Sequence, residues 1–96
     1  MVIALFGNRY QGDKIDAVSD FICDLGRHSY IVLLAEVAFL DFLDQAAPEA
    51  AEAVTGVFAP DRDAVDLALS FGGDGTFLAA AGMMAGRETP LMGINT

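Results

Sequence analysis

Three glycines, one carboxylate and one hydroxyl stand together at Gly72-Gly73-Asp74-Gly75-Thr76. Glycines let a backbone adopt positive φ and approach an anion closely. If a helix follows, its first N–H groups and the positive end of its dipole face that anion. Thr76 is a suitable N-cap for such a helix. The run therefore spells a phosphate cradle with one carboxylate inside it. Asp74 would repel phosphates unless it has a task there. It can hold a divalent cation such as Mg²⁺, or it can take a proton from an attacking hydroxyl. An ordinary Asp-Gly tight turn is the plain alternative, and the flanking elements decide between the two.

Asp66–Phe71 ahead of the run contains Leu67-Ala68-Leu69-Ser70-Phe71, an apolar stretch that reads as a buried strand. Behind it the pattern predicts a helix from about Thr76 to Ala85, with Leu78, Ala81 and Met84 or Ala85 turned inward and Gly86-Arg87 closing it. A strand, a glycine turn and a helix in that order put the turn at the carboxyl end of a sheet, where open α/β folds bind ligands.

The rest of the chain repeats the alternation. Val2–Phe6 is a strand ended by Gly7-Asn8-Arg9. Asp13 is a candidate cap for a helix whose face is Ile15, Val18, Ile22 and Leu25, stopped by Gly26. Ser29–Leu34 holds a second strand. A second helix runs from Glu36 to about Ala46, with Phe39, Leu43 and Ala46 on one side, and Pro48 interrupts it. Glu49–Ala53 adds a helical turn. Gly56–Asp63 reads as a loop, within which Val57-Phe58 pairs at most briefly with a sheet, and Asp61 and Asp63 beside Arg62 read as solvated. After Pro90 comes a last strand, Leu91–Ile94. This order calls for an open, mostly parallel α/β sheet of about four strands with flanking helices and right-handed crossovers.

Composition narrows the partners. The chain has 96 residues, enough for one domain, and 54% of them are hydrophobic, which leaves apolar surface for a partner domain or a second subunit. Five Lys plus Arg against fourteen Asp plus Glu give a net charge of −9. Nucleic acid and anionic membranes are poor partners for such a surface. Phosphate must be held by backbone N–H groups and a metal, because lysines are scarce. One cysteine, Cys23, allows no internal disulfide and reads as a structural thiol. No signal peptide or membrane span is legible, and the reading is cytoplasmic. His28 reads as a partly exposed structural histidine, and Arg9 as a loop cation near a strand end. Met83-Met84 reads as core or domain interface. Asn8 and Asn95, at two further strand ends, can line the same crevice, the alternatives being a plain turn residue at Asn8 and a strand-end polar residue at Asn95.

Gly-Gly-Asp-Gly-Thr after an apolar strand resembles the signature shared by NAD kinases, diacylglycerol and sphingosine kinases, and phosphofructokinases. Phe77-Leu78 directly after it, and Pro90-Leu91-Met92-Gly93-Ile94-Asn95, resemble the NAD kinase family in particular. Phe6-Gly7-Asn8 resembles that family's first strand and loop. The resemblance implies a Rossmann-like N-terminal domain over residues 1–96. It also implies a β-rich NAD-binding domain and an Asn-Glu or Asn-Asp motif that this chain does not contain, so that the fragment alone is inactive.

The implied reaction moves a phosphoryl group from ATP or inorganic polyphosphate, with a divalent metal, to the 2′-hydroxyl of the adenosine ribose of NAD. Asp74 would be the proton acceptor. Gly72, Gly73, Gly75 and Thr76 would line the phosphates, with Asn95 and Asn8 nearby, and no residue is assigned as a metal ligand. A homo-oligomer is expected for the complete protein. Ala79-Ala80-Ala81 departs from relatives that carry a basic residue just after the motif. Two other readings stay open at this point: a lipid kinase of the diacylglycerol or sphingosine type, and a non-enzymatic flavodoxin-like interaction module.

Overall fold

The structure, a computed structural model, describes residues 1–9 and 11–94. Five strands form one sheet: β1 (Val2–Gly7), β2 (Val32–Ala35), β3 (Gly56–Val57), β4 (Leu67–Phe71) and β5 (Leu91–Ile94). Their order is β3-β2-β1-β4-β5 and every pairing is parallel. The helices are α1 (Ile15–Gly26), α2 (Val37–Ala46), α3 (Pro48–Ala53) and α4 (Asp74–Met83), with a 3₁₀ turn at Gly12–Lys14 before α1.

The expected architecture holds, with one strand more than about four. The short pairing at Val57 is real: Leu34 and Ala35 of β2 face Gly56 and Val57, and the Phe58 N–H donates to the Ala35 carbonyl at 2.7 Å. β2 begins at Val32 rather than near Ser29, because the residues before it form a turn closed by the Ile31 N–H on the His28 carbonyl at 3.0 Å, with Tyr30 65% exposed. Inside α2, Phe39 and Leu43 are buried as expected. Ala46 is exposed, and Ala47 and Ala50 take the core position beyond it. Asp13 does not cap α1. It lies in the 3₁₀ turn, and Lys14 stands at the N-cap.

Alternation along β1 divides the core in two. Ile3 and Leu5 join Val18, Ile22, Phe39 and Leu43 on the face covered by α1, α2 and α3. Ala4 and Phe6 join Phe58, Val65, Ala68, Ala80 and Met84 on the face covered by α4 and by the chain between β3 and β4. Gly7 ends β1 without a side chain because a Cβ there would lie 2.4 Å from the Phe39 ring. The β3–β4 connection is closed without a helix. Arg87, just past α4, donates to the carbonyls of Asp63 (2.7 Å) and Pro60 and lies over the Phe58 ring. Asp63 is therefore not a solvated loop residue as expected. Its carboxylate accepts the Ala59 N–H at 2.8 Å and caps that turn, and Arg62 beside it, followed by the Ala59 N–H, holds the Asp63 carboxyl below its ordinary pKa.

From β1 the chain moves outward through β2 to β3 with helices on one face. From β4 to β5 it moves the other way with α4 on the opposite face. The direction of winding thus reverses between β1 and β4. In open α/β sheets that reversal leaves a crevice at the carboxyl ends of the two strands.

Candidate phosphate-binding site

The loop after β1 and the glycine run after β4 meet at that crevice. Phe71 is the last residue of β4, and its carbonyl accepts the Asn8 N–H at 3.3 Å. Gly72 follows with φ +154°, a conformation that side chains rarely adopt. A Cβ on Gly72 would stand 2.7 Å from the Thr76 Oγ1, 2.9 Å from the Thr76 Cβ and 3.2 Å from the Asn8 Nδ2. The Asn8 carboxamide and the Thr76 hydroxyl thus both crowd the place where a Gly72 side chain would stand. Gly73 and Gly75 differ from Gly72: φ is not positive at either, and a Cβ would meet nothing within 4 Å. Their lack of side chains keeps backbone open to whatever enters from outside.

Thr76 does not cap the helix. α4 begins two residues earlier, because Gly73 takes the extended N-cap conformation (φ −88°, ψ −165°) and leaves Asp74 as the first helical residue. No side chain caps this end. The first intrahelical bond at this end is from the Phe77 N–H to the Gly73 carbonyl at 3.1 Å, so the N–H groups before it point out of the helix end unshared by the helix. A carboxylate at a helix N-terminus is also favoured by the dipole, which explains how Asp74 is tolerated there before any ligand is considered. The expected face of α4 is found in part. Ala80 and Met84 are buried and Ala81 half-buried, whereas Leu78, two positions from Ala80, faces solvent at 68% exposure.

An open cleft of about 240 Å³ lies in front of this turn, lined by Gly72, Gly73, Asp74, Phe77, Gly93 and Ile94. Phe77 leans across to β5, where a Cβ on Gly93 would touch its ring at 3.4 Å. The cleft thus carries one carboxylate, an aromatic wall and a floor of glycine backbone. Among the described residues, no three His, Cys, Asp or Glu side chains gather into a metal-holding group. Mg²⁺ typically keeps several waters and takes one or two carboxylates together with phosphate oxygens. A cleft with Asp74 alone fits a cation that arrives with a phosphate.

Of the residues expected at the site, Asn8, Gly72, Gly73, Asp74, Gly75 and Thr76 are brought together. Asn95 lies outside the described residues. Arg9 is exposed in the same loop as Asn8. His28 and Cys23 belong elsewhere, His28 exposed beside Tyr30 and Cys23 half-buried against the first core. Sequence reasoning missed Gln11. It is one of three buried polar residues in the described structure and reaches both Asn8 and the carbonyl of Phe71. Its one sequence signal is a long amide placed three residues after Asn8.

The family described as "ATP-NAD kinase N-terminal domain" matches residues 29–96. The chain belongs to the NAD kinase family. Curated NAD kinases resemble it over its whole length. That of Porphyromonas gingivalis is 32% identical over 94 residues, covering 98% of this chain and 32% of the relative. That of Bacteroides fragilis is 32% identical over 96 residues, covering all of this chain and 32% of the relative. That of Cytophaga hutchinsonii is 34% identical over 99 residues, with 100% and 33% covered. The chain spans about a third of the length of these relatives. The match is to the NAD kinase family and not to the lipid-kinase family also weighed above. Among the described residues, no helix is long and apolar enough to cross a membrane.

Proposed function

We propose that this chain forms the phosphate-binding half of an NAD kinase site, which transfers a phosphoryl group from ATP or inorganic polyphosphate to the 2′-hydroxyl of the adenosine ribose of NAD, giving NADP. One observation carries the reading. An uncapped helix end opens on a cleft, and the one carboxylate lining that cleft is Asp74 at the first helical position. Phosphoryl transfer asks little covalent work of a protein, and positioning and charge neutralisation dominate. The N–H groups of the first turn of α4, the Thr76 hydroxyl and the Asn8 carboxamide donate to phosphate oxygens, and Gly73 and Gly75 let those oxygens approach. Asp74 accepts the proton of the 2′-hydroxyl as that oxygen bonds to phosphorus and the bond to the leaving oxygen breaks. A divalent cation carried by the donor phosphates would neutralise their charge beside Asp74.

The test is Asp74→Asn in the full-length protein, followed by steady-state kinetics and NAD binding. Loss of a general base lowers kcat by about 10²–10⁴-fold, with NAD affinity changed far less. A kcat within about threefold of the parent, under ~1 kcal/mol of barrier, would sink the assignment.

A further inference from the structure

Gln11 is 9% exposed, and its side-chain nitrogen stands within hydrogen-bond distance of three acceptors: the Asn8 Oδ1 at 2.9 Å, the Asn8 carbonyl at 3.1 Å and the Phe71 carbonyl at 3.1 Å. The Phe71 carbonyl belongs to the residue immediately before Gly72, so one amide joins the loop after β1 to the root of the glycine run. The bond to Oδ1 has a second effect. A carboxamide has one acceptor end and one donor end. With its oxygen held by Gln11, Asn8 presents its nitrogen to Gly72, where a Cβ would stand 3.2 Å from Nδ2. Turned over, the same side chain would bring an oxygen to a place meant for an anion.

We infer that Gln11 is a positioning residue: it fixes the Asn8 carboxamide with its N–H₂ toward the glycine loop and so keeps that wall of the cradle a donor wall for phosphate. The inference rests on the phosphate-binding reading of the cleft and deepens it. Gln11 touches no ligand itself and acts through Asn8. Phosphate oxygens are charged acceptors, so losing the donor orientation weakens phosphate binding by about tenfold or more.

The experiment uses the full-length protein as parent, Gln11→Met, Asn8→Ala and the double variant. Two readouts are taken on each: the dissociation constant for tripolyphosphate with Mg²⁺ by calorimetry, and kcat and KM for NADP formation. Gln11→Met fills similar volume but cannot donate. It should raise the tripolyphosphate Kd by about tenfold and raise KM for the phosphoryl donor more than it lowers kcat. In the Asn8→Ala background the same substitution should change Kd by less than about twofold, since the group it orients is gone. An equal effect in both backgrounds would mean that Gln11 serves only as a clamp on Phe71, and the inference falls. It falls also if Gln11→Met leaves Kd unchanged, or if the parent does not bind tripolyphosphate. If binding behaves as stated and no NADP forms, the kinase reading fails while the role of Gln11 stands.

Discussion

Helices α1 and α4 both link neighbouring parallel strands, but they are attached to the sheet in different ways. α1 buries Val18, Ser19 and Ile22 along one side and turns Asp16, Asp20 and Asp24 to solvent on the other. Its place is fixed along its length by burial. α4 buries Ala80 alone within its span, carries Gly75 and Gly82, and exposes Leu78 and Met83. Its place is fixed at its ends: by the packing of Thr76 on Gly72 at one, and by Met84 and Arg87 beyond the other. A helix held this way contributes little core. What it offers is the position and direction of its first turn. The contrast teaches that α1 serves the fold through the side it buries, and α4 serves the site through where its first turn points.

The comparison is broken most directly in the first core. Ile22→Ala removes a fully buried side chain from α1 and should cost about 2–5 kcal/mol, read as a fall in unfolding free energy by denaturant titration. A loss below ~1 kcal/mol would show that α1 is not the main stabilising helix.

The glycine loop should give an intermediate effect, divided unequally between neighbours. Gly72→Ala forces a side chain into φ +154° against Thr76 and should cost ~1–3 kcal/mol while abolishing tripolyphosphate binding. Gly73→Ala meets no neighbour, so stability should stay within ~0.5 kcal/mol. Its Cβ still projects into the open cradle, and affinity for tripolyphosphate should drop. Equal destabilisation by the two substitutions would contradict the assignment of strain to Gly72 alone. The smallest effect belongs to Leu78→Ser. The side chain is exposed on α4, and unfolding free energy should move by no more than ~0.5 kcal/mol. A loss approaching that of Ile22→Ala would mean that α4 is buried along its length after all.

Much of this was legible before any coordinates. Long apolar runs at Val2–Phe6 and Leu67–Phe71 are strands because a sheet covered on both faces needs no polar alternation. The glycine run declares its turn because no other residue type serves a backbone that must both twist and stay bare. Two misreadings concern α4. Thr76 as N-cap assumed that α4 starts at a residue with good capping propensity, and Leu78 as a core residue followed an apolar spacing in a helix where nearly every residue is apolar or small. Gly73 can cap without a side chain, and the buried stripe runs through Ala80 and Met84, from which Leu78 is turned away. The strand at Gly56–Val57 is too short for periodicity to register, and its pairing is set by β2 rather than by its own composition. Gln11 was invisible for a different reason. A glutamine declares its role only through the acceptors it reaches, and two of its three are backbone or side-chain atoms of Asn8 while the third lies 60 positions away.

That 60-residue separation bears on the order in which the molecule is assembled and lost. β1 pairs with β2 across a short helical connection, and these elements can close on one another with little loop entropy to overcome. The β1–β4 pairing, by contrast, joins the two ends of most of the chain, and contacts of that range are slow to form because their entropy is spent before they return any energy. The cradle exists only while those two strands are zipped together, since one of its walls hangs from each. A partly opened molecule can therefore retain β1, α1, β2 and most of the first core and have no anion site at all. Conversely, any phosphate held between Asn8 and Gly72 fastens the least local seam in the fold, so that ligand occupancy and long-range strand pairing become one equilibrium.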